Sequence, residues 1–489
     1  MSGLAVRAAA RTRPVAAPWR VSRELFLLEA RRLAGNPLLW GMAVLVLALQ
    51  TYLSWDQQPD MGIDPIAATG TAMCLAGMTL LVANLAASRD RRHRMPESLA
   101  GLPSGAEHRT RALLLATPLV GGLVAGLVLA LYLAIRYLSG PVAGGLDPLE
   151  PLTAVAATAF AAVLGVAVGR WLPWLIAGPL VMATLGFLIF QNSVNGSMGW
   201  WLPVMQRHAV DWPARPSGPH LVYVLALTAL AAGAALLKHG RGRLPLLAVV
   251  ASVAVAVPTG ATAAAVEPVD LPRVGELDLD DVDPRVRERF FGPRAHRCER
   301  RAGIVYCAYP EYVSWIPLWE KDVAGPLAGA IPPEHRALIP PIRQLTPTWS
   351  HGEDWKVPAA RPPMTWKQAD RERTAQQIAY EVLRFRRQCD ARGQARTLVA
   401  LWLVGQVGKV AEPDRITWRG QVMAMGGVDY GAAEVGYAGR LLAAPGTRER
   451  LWAHWDTLTG PSTTIGQALP LLGLRQEFPL SRPGVTPCR

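Results

Sequence analysis

The sequence has no Gly-x-x-x-x-Gly-Lys-Ser/Thr run, and so no loop of the kind that cradles the phosphates of ATP. The nearest stretch, Gly405-Gln-Val-Gly408-Lys409-Val410, lacks both the spacing and the hydroxyl that would hold magnesium. There is no His-Glu-x-x-His and no Gly-x-Ser-x-Gly, which leaves zinc-peptidase and serine-hydrolase chemistry without support. His351-Gly-Glu353-Asp354 has no second histidine nearby and reads as a solvated turn rather than a metal site. Trp452-Ala-His454-Trp455 reads as a packed helix face. An enzyme is not expected, and neither is a cofactor or a metal. Cysteine is scarce, at five in 489 residues. Charge is scarce within the long apolar runs of the first half, where Arg136 stands alone.

Apolar residues are abundant, at 51% of the chain, with a positive mean hydropathy. They are concentrated in the first half, while the second half has the composition of an ordinary soluble domain. The contrast predicts a mainly α protein: a polytopic membrane domain of six or seven transmembrane helices, and a mostly helical, disulfide-containing extracytoplasmic domain. The formal net charge is +13. Arginines beside membrane spans account for much of it. No zinc-finger or RNA-binding signature accompanies the charge, so the expected partner is the lipid bilayer and not nucleic acid.

In chain order, residues 1–20 carry Arg7, Arg11, Arg13 and Arg20 without an acid and read as a disordered cytoplasmic tail. The membrane domain is placed at 21–265. It opens with Ser22–Leu33, where Ser22 can cap a helix. Large apolar residues there share a segment with Arg and Glu, as in a helix lying in the membrane interface. Asn36-Pro37 marks a break. Seven candidate spans follow: Leu38–Leu53, Ala67–Ala87, Ala112–Tyr137, Leu152–Gly169, Trp171–Phe190, Leu221–Leu237 and Leu244–Ala265. Most approach the roughly 20 residues needed to cross the hydrocarbon layer.

Charge sets the expected orientation. Arg and Lys beside a span stay on the cytoplasmic side. The stretch from Ser88 to Arg111 is basic, with Arg89, Arg91, Arg92, Arg94, Arg109 and Arg111, and so are Arg170 and Lys238–Arg243. Residues 54–65 hold Asp56, Asp60 and Asp64 without a base, and 138–151 lack Lys and Arg. An inside start and seven spans put everything after Ala265 outside. Arg136 is expected to snorkel at the outer end of its span.

The cysteines agree with that placement. Cys74 falls within a span, and Cys298, Cys307, Cys389 and Cys488 all lie in the second half. An even set outside the cytosol suggests disulfides, with three connectivities open. The short separation of Cys298 and Cys307 favours a local bond across a hairpin, which leaves Cys389 with Cys488. A Pro- and acid-rich linker at 266–283 leads into the outer domain at 284–489. Tyr312–Ala328, Thr365–Cys389, Ala395–Val410, Tyr430–Ala443 and Arg448–Leu458 read as helices.

Two places carry a resemblance to a known family. Leu28-Glu-Ala-Arg-Arg-Leu33 with Asn36-Pro37 resembles the interfacial helix that leads into the first span of ABC-2 type exporter permeases, in a form common among actinobacteria. Glu97-Ser-Leu-Ala-Gly-Leu-Pro103 followed by Arg109-Thr-Arg111 resembles their first cytoplasmic loop, where a coupling helix meets the ATPase. By itself such a basic loop is a solvated connector. The resemblance makes it an ATPase-docking loop, with Arg92, Arg94, Glu97, Leu99, Leu102 and Arg109 as the docking residues. It further implies an ABC ATPase subunit in trans and a homo- or heterodimer of permease chains. A seventh span and a large outer domain depart from the usual six spans. Cys298, Cys307 and Tyr309-Pro-Glu-Tyr312 look similar to outer domains of other actinobacterial permease-like proteins. The competing expectation is a non-transporting membrane sensor or scaffold whose outer domain binds a ligand or an envelope partner.

Overall fold

The structure, a computed structural model, describes residues 18–92, 105–172, 174–195, 201–204, 215–240, 242–264, 284–345, 358–385, 389–409, 428–479 and 487–488. Of the expected tail (1–20), residues 1–17 lie outside the described residues while Pro18–Arg20 are corrected to the start of a helix, and the linker (266–283) lies outside the described residues.

The first half is a helix bundle: α1 Pro18–Ala34, α2 Pro37–Leu53, α3 Asp64–Ala87, a single turn α4 Arg89–Arg92, α5 Ala106–Leu138, α6 Leu149–Trp171, α7 Ala177–Asn195, α8 Ser217–Leu237 and α9 Arg243–Ala264. Among the described residues, five helices are long and apolar enough to cross a membrane: α3, α5, α6, α8 and α9. They become six when α1 and α2, bent by 50° at their junction, count as one. The bend has a local cause. The Asn36 side chain accepts from Leu38 N at 2.9 Å and caps α2, and Pro37 occupies the first helical turn, where its missing N–H costs nothing.

The fifth expected span, Trp171–Phe190, is corrected. Trp171 ends α6, because Leu172 turns extended, and a new helix starts only at Ala177. The apolar stretch of α7, Ala177–Gln191, is shorter than the span-length helices.

Small residues set the packing. A Cβ at Gly165 of α6 would collide with the Leu80 carbonyl of α3, and one at Gly169 would stand 2.8 Å from the Asn84 carbonyl. The two backbones meet only because those side chains are absent. Gly122 and Gly126 of α5 face Val155 of α6, where an added Cβ would make ordinary contact at 3.4 and 3.7 Å, so the close approach at this spacing does not depend on glycine.

The second half is mostly helical, with α10 Pro284–Phe291, α11 Gln368–Val382, α12 Ala395–Val404 and α13 Ala432–Ala443. A hairpin, β1 Arg297–Arg301 and β2 Ile304–Ala308, pairs antiparallel, and β3 Ile342–Arg343 adds parallel to β2. β4 Cys389–Asp390 pairs with β5 Val428–Asp429. Cys298 and Cys307 stand opposite in the hairpin register, 4.0 Å apart at Cα, and are bonded. Cys389 bonds Cys488 and ties the C-terminal end to β4, closing a separation of 99 residues. A bond of this kind contributes about 2–4 kcal/mol.

The expected helix Tyr312–Ala328 is broken. Pro310–Trp315 is a 3-10 turn, Ile316–Trp319 an α turn, Glu320–Ala324 a π turn and Gly325–Ala330 an α turn. Pro317 and Pro326 each sit at the start of a turn, where a proline is tolerated, so the segment restarts rather than runs on. α11 is shorter than Thr365–Cys389, because Arg384 takes a left-handed φ of 54° just past its end. Arg448–Leu458 divides at His454 into Thr447–Ala453 and Trp455–Thr459. Trp315, Trp319, Trp366, Tyr306 and Tyr312 are fully buried and centre the core of this domain. Ala143, from the loop between α5 and α6, is part of the same core.

Candidate functional site at the two ends of the bundle

One end of the bundle carries the C-terminal domain, and a buried polar network joins the two. Arg136, near the end of α5, does not snorkel: it is only 4% exposed. Its Nε donates to Asp64 Oδ2 at 2.8 Å. Nη1 donates to the carbonyls of Ser54 and Gln57 at 2.9 and 3.0 Å, and Nη2 to that of Gln58 at 2.9 Å. A guanidinium spends its fork of donors well on fixed carbonyls, and a buried charge needs such partners. The nearby loop supplied three acids as an outside marker, and one of them is the counter-ion. Tyr132 donates to Asp64 Oδ1 at 3.3 Å, and Gln50 donates to Tyr132 at 3.2 Å.

The network continues into the C-terminal domain through Asp60. Its Oδ2 accepts from Tyr312 Oη at 2.8 Å and its Oδ1 from Gly62 N at 2.8 Å. Asp60 and Ala143 form a parallel bridge between the two loops at this end. Around it, Ser314 Oγ donates to Val142 O at 2.7 Å, Trp315 Nε1 to Pro141 O at 3.0 Å, and Gly144 N to Glu311 O at 3.0 Å. Gly144 has φ 75°, and a Cβ there would collide with the Asp60 carboxylate. The C-terminal domain is thus clasped by side chains and backbone together.

Burial pushes the Asp60 carboxyl up to about 7, against the lowering effect of its Tyr312 and Gly62 hydrogen bonds. Burial, then the Asp60 charge, push the Tyr312 hydroxyl well above the ordinary tyrosine range. A carboxyl with a raised folded-state pKa binds protons more tightly in the folded protein. The stability it brings is full below the ordinary value of 3.8 and is lost as pH rises to about 7. Full-length protein unfolded in detergent should therefore lose stability from Asp60 between about pH 4 and about pH 7. Asp60→Asn should flatten that part of the profile, and equal slopes for the two proteins would contradict it.

The opposite end gathers the stems of the expected docking loop. Glu29 of α1 receives both terminal nitrogens of Arg89, at 3.1 and 3.4 Å. Asp90 Oδ2 lies 3.4 Å from Arg109 Nε and 3.6 Å from Arg170 Nη1, which links α4, α5 and α6. Thr110 and His239 pair at 2.7 Å and bring in the end of α8. Trp171 Nε1 donates to Ala234 O, and Lys238 lies over the Trp171 ring at 5.0 Å. Exposed pairs such as Arg32–Glu29 and Arg111–Glu107 add little.

Of the six docking residues expected from the sequence, Arg94, Glu97, Leu99 and Leu102 lie outside the described residues. Arg92 closes the α4 turn. Arg109 is placed against Asp90, so the two stems of the loop are pinned together. Sequence reasoning missed Glu29, Asp90, Asp64, Tyr132 and Tyr312. Asp90 could have been found, since it is an acid flanked by arginines in a basic run. The remaining partners are too distant in sequence to pair by inspection.

No family model, no curated protein and no solved structure matches the chain.

Proposed function

We propose that the chain is the membrane-spanning permease subunit of an ABC-type exporter, driven by a separate ATPase in trans. Two such chains, or this chain and a related one, form the path, and the C-terminal domain lies outside. The reading is supported most by the ion-paired platform at the end of the bundle away from that domain. Glu29–Arg89 ties the bent interfacial helix α1 to the start of the loop, and Asp90 ties the start of the loop to its end and to α6. A load applied to the loop would reach three helices through charged contacts. The chain has no phosphate-binding loop of its own, so ATP-driven work needs a partner.

Within the loop, Leu99 and Leu102 stand three apart, as apolar residues of a short helix set into a groove do. Changing both to Asp should abolish recovery of the ATPase with the tagged chain and leave its unfolding temperature unchanged. Recovery at the wild-type level would make the loop a connector. The second reading, a sensor or scaffold, draws on the Asp60–Tyr312 clasp, through which a ligand of the outer domain would act on α3 and α5.

A further inference from the structure

Midway along α3, α6 and α7 lies a pocket of about 360 Å³ that plays no part in either polar cluster. Met73, Cys74 and Gly77 of α3, Phe160 of α6, and Met182 and Gly186 of α7 are part of its wall, and Pro203 and Val204 line it as well. Among the described residues, no charged side chain lines it. The buried hydroxyls at this depth are turned into their own helices: Thr79 donates to Leu75 O at 2.7 Å, Thr117 to Leu113 O at 2.9 Å and Thr158 to Ala154 O at 3.1 Å. The described lining residues offer nothing that would hold an ion, a sugar or a peptide. α3 and α6 are of span length, and midway along them the surrounding medium is hydrocarbon.

We propose that this pocket takes a single alkyl chain, so that the cargo of the exporter is an amphiphile that enters sideways from the bilayer. The second half of that statement rests on the exporter reading; the pocket does not. Size supports the assignment. A cavity of about 150 Å³ holds the six carbons of benzene, which scales to roughly a dozen carbons here. Met73 and Met182 are flexible and polarisable, and suit a chain of variable shape. A helix of a second copy is the other apolar occupant. Such a helix would exclude lipid from the pocket, and the labelling below distinguishes the two.

Gly186 gives the test a handle. A Cβ added there meets nothing within 4 Å, so Gly186→Leu fills the pocket without a backbone clash. Ala183→Leu, one turn away, is the second variant. The full-length chain is placed in phosphatidylcholine vesicles doped with a phospholipid carrying a diazirine midway along one tail, then photolysed and mapped by peptide mass. Adducts should be denser on Met73–Leu80 and Met182–Ile189 than on Leu247 and Val250 of α9, which face outward. Both variants should remove that excess and leave the α9 adducts in place. Equal density, which a helix of a second copy seated there would give by keeping lipid out, or an excess unchanged in both variants would overturn the pocket assignment. In the complex with its ATPase, a lysophosphatidylcholine of matching tail length should stimulate ATP turnover, and Gly186→Leu should abolish the stimulation. Adducts in the pocket with no such stimulation would overturn the cargo assignment alone. Absence of any ATPase would sink the exporter reading and leave the pocket standing.

Discussion

Arg136→Met is expected to cost the full-length protein about 3–5 kcal/mol of stability, the usual loss when one partner of a buried ion pair is removed. Methionine keeps the volume and takes away every donor. Asp64 is left as a carboxylate without its counter-ion in a buried site, and the carbonyls of Ser54, Gln57 and Gln58 lose their shared donor. Those carbonyls shape the loop that carries Asp60, so the Tyr312 contact should weaken as well. Unfolding in detergent, followed by denaturant titration, reads the loss. Adding Asp64→Asn to Arg136→Met should recover part of it, because the uncompensated charge is gone. A single variant as stable as wild type would show that the network is not what holds this end together.

The side of the membrane is the second large expectation, because its readout is nearly all-or-none. Cys74 is the free thiol among the described residues, and the four cysteines in disulfides do not react with maleimides. In a Cys74→Ala background, Ser462→Cys should react with a membrane-impermeant maleimide in intact cells, and Ser104→Cys should react only after permeabilisation. The expectation follows from the arginines near one end of the bundle. It also follows from the disulfides, which persist in an oxidising compartment. Reaction at Ser104→Cys and protection of Ser462→Cys would reverse the whole orientation.

Much of the fold was legible because its signals are local. Apolar run lengths located the long helices, Asn36-Pro37 marked the bend, and the close spacing of Cys298 and Cys307 pointed to the hairpin bond. Arg170 marked a break between α6 and α7, but Trp171, Leu172, Trp174, Leu175 and Ile176 are apolar, so the start of α7 at Ala177 was not legible. Nor was the broken helix after Tyr309, where apolar spacing suits a helix but Pro317 and Pro326 force restarts. The site at the domain-bearing end was the least legible part. Arg136 and Asp64 are 72 positions apart, and Asp60 and Tyr312 are 252 apart. An aspartate in a polar loop looks like a solvated charge until the fold places a tyrosine against it. At the other end, a basic run suggested a loop, and Asp90 stands out as an acid within it, but Glu29 lies 60 positions from Arg89 and could not be paired by inspection.

Recovery of the tagged chain from its own membrane in mild detergent, with every accompanying protein identified, tests the exporter reading most directly. A nucleotide-binding chain with a phosphate-binding loop should accompany it in stoichiometric amount, with ATP hydrolysis by the pair that the chain alone lacks. A chain recovered without any nucleotide-binding partner, under conditions that keep the helix bundle folded, would contradict that reading.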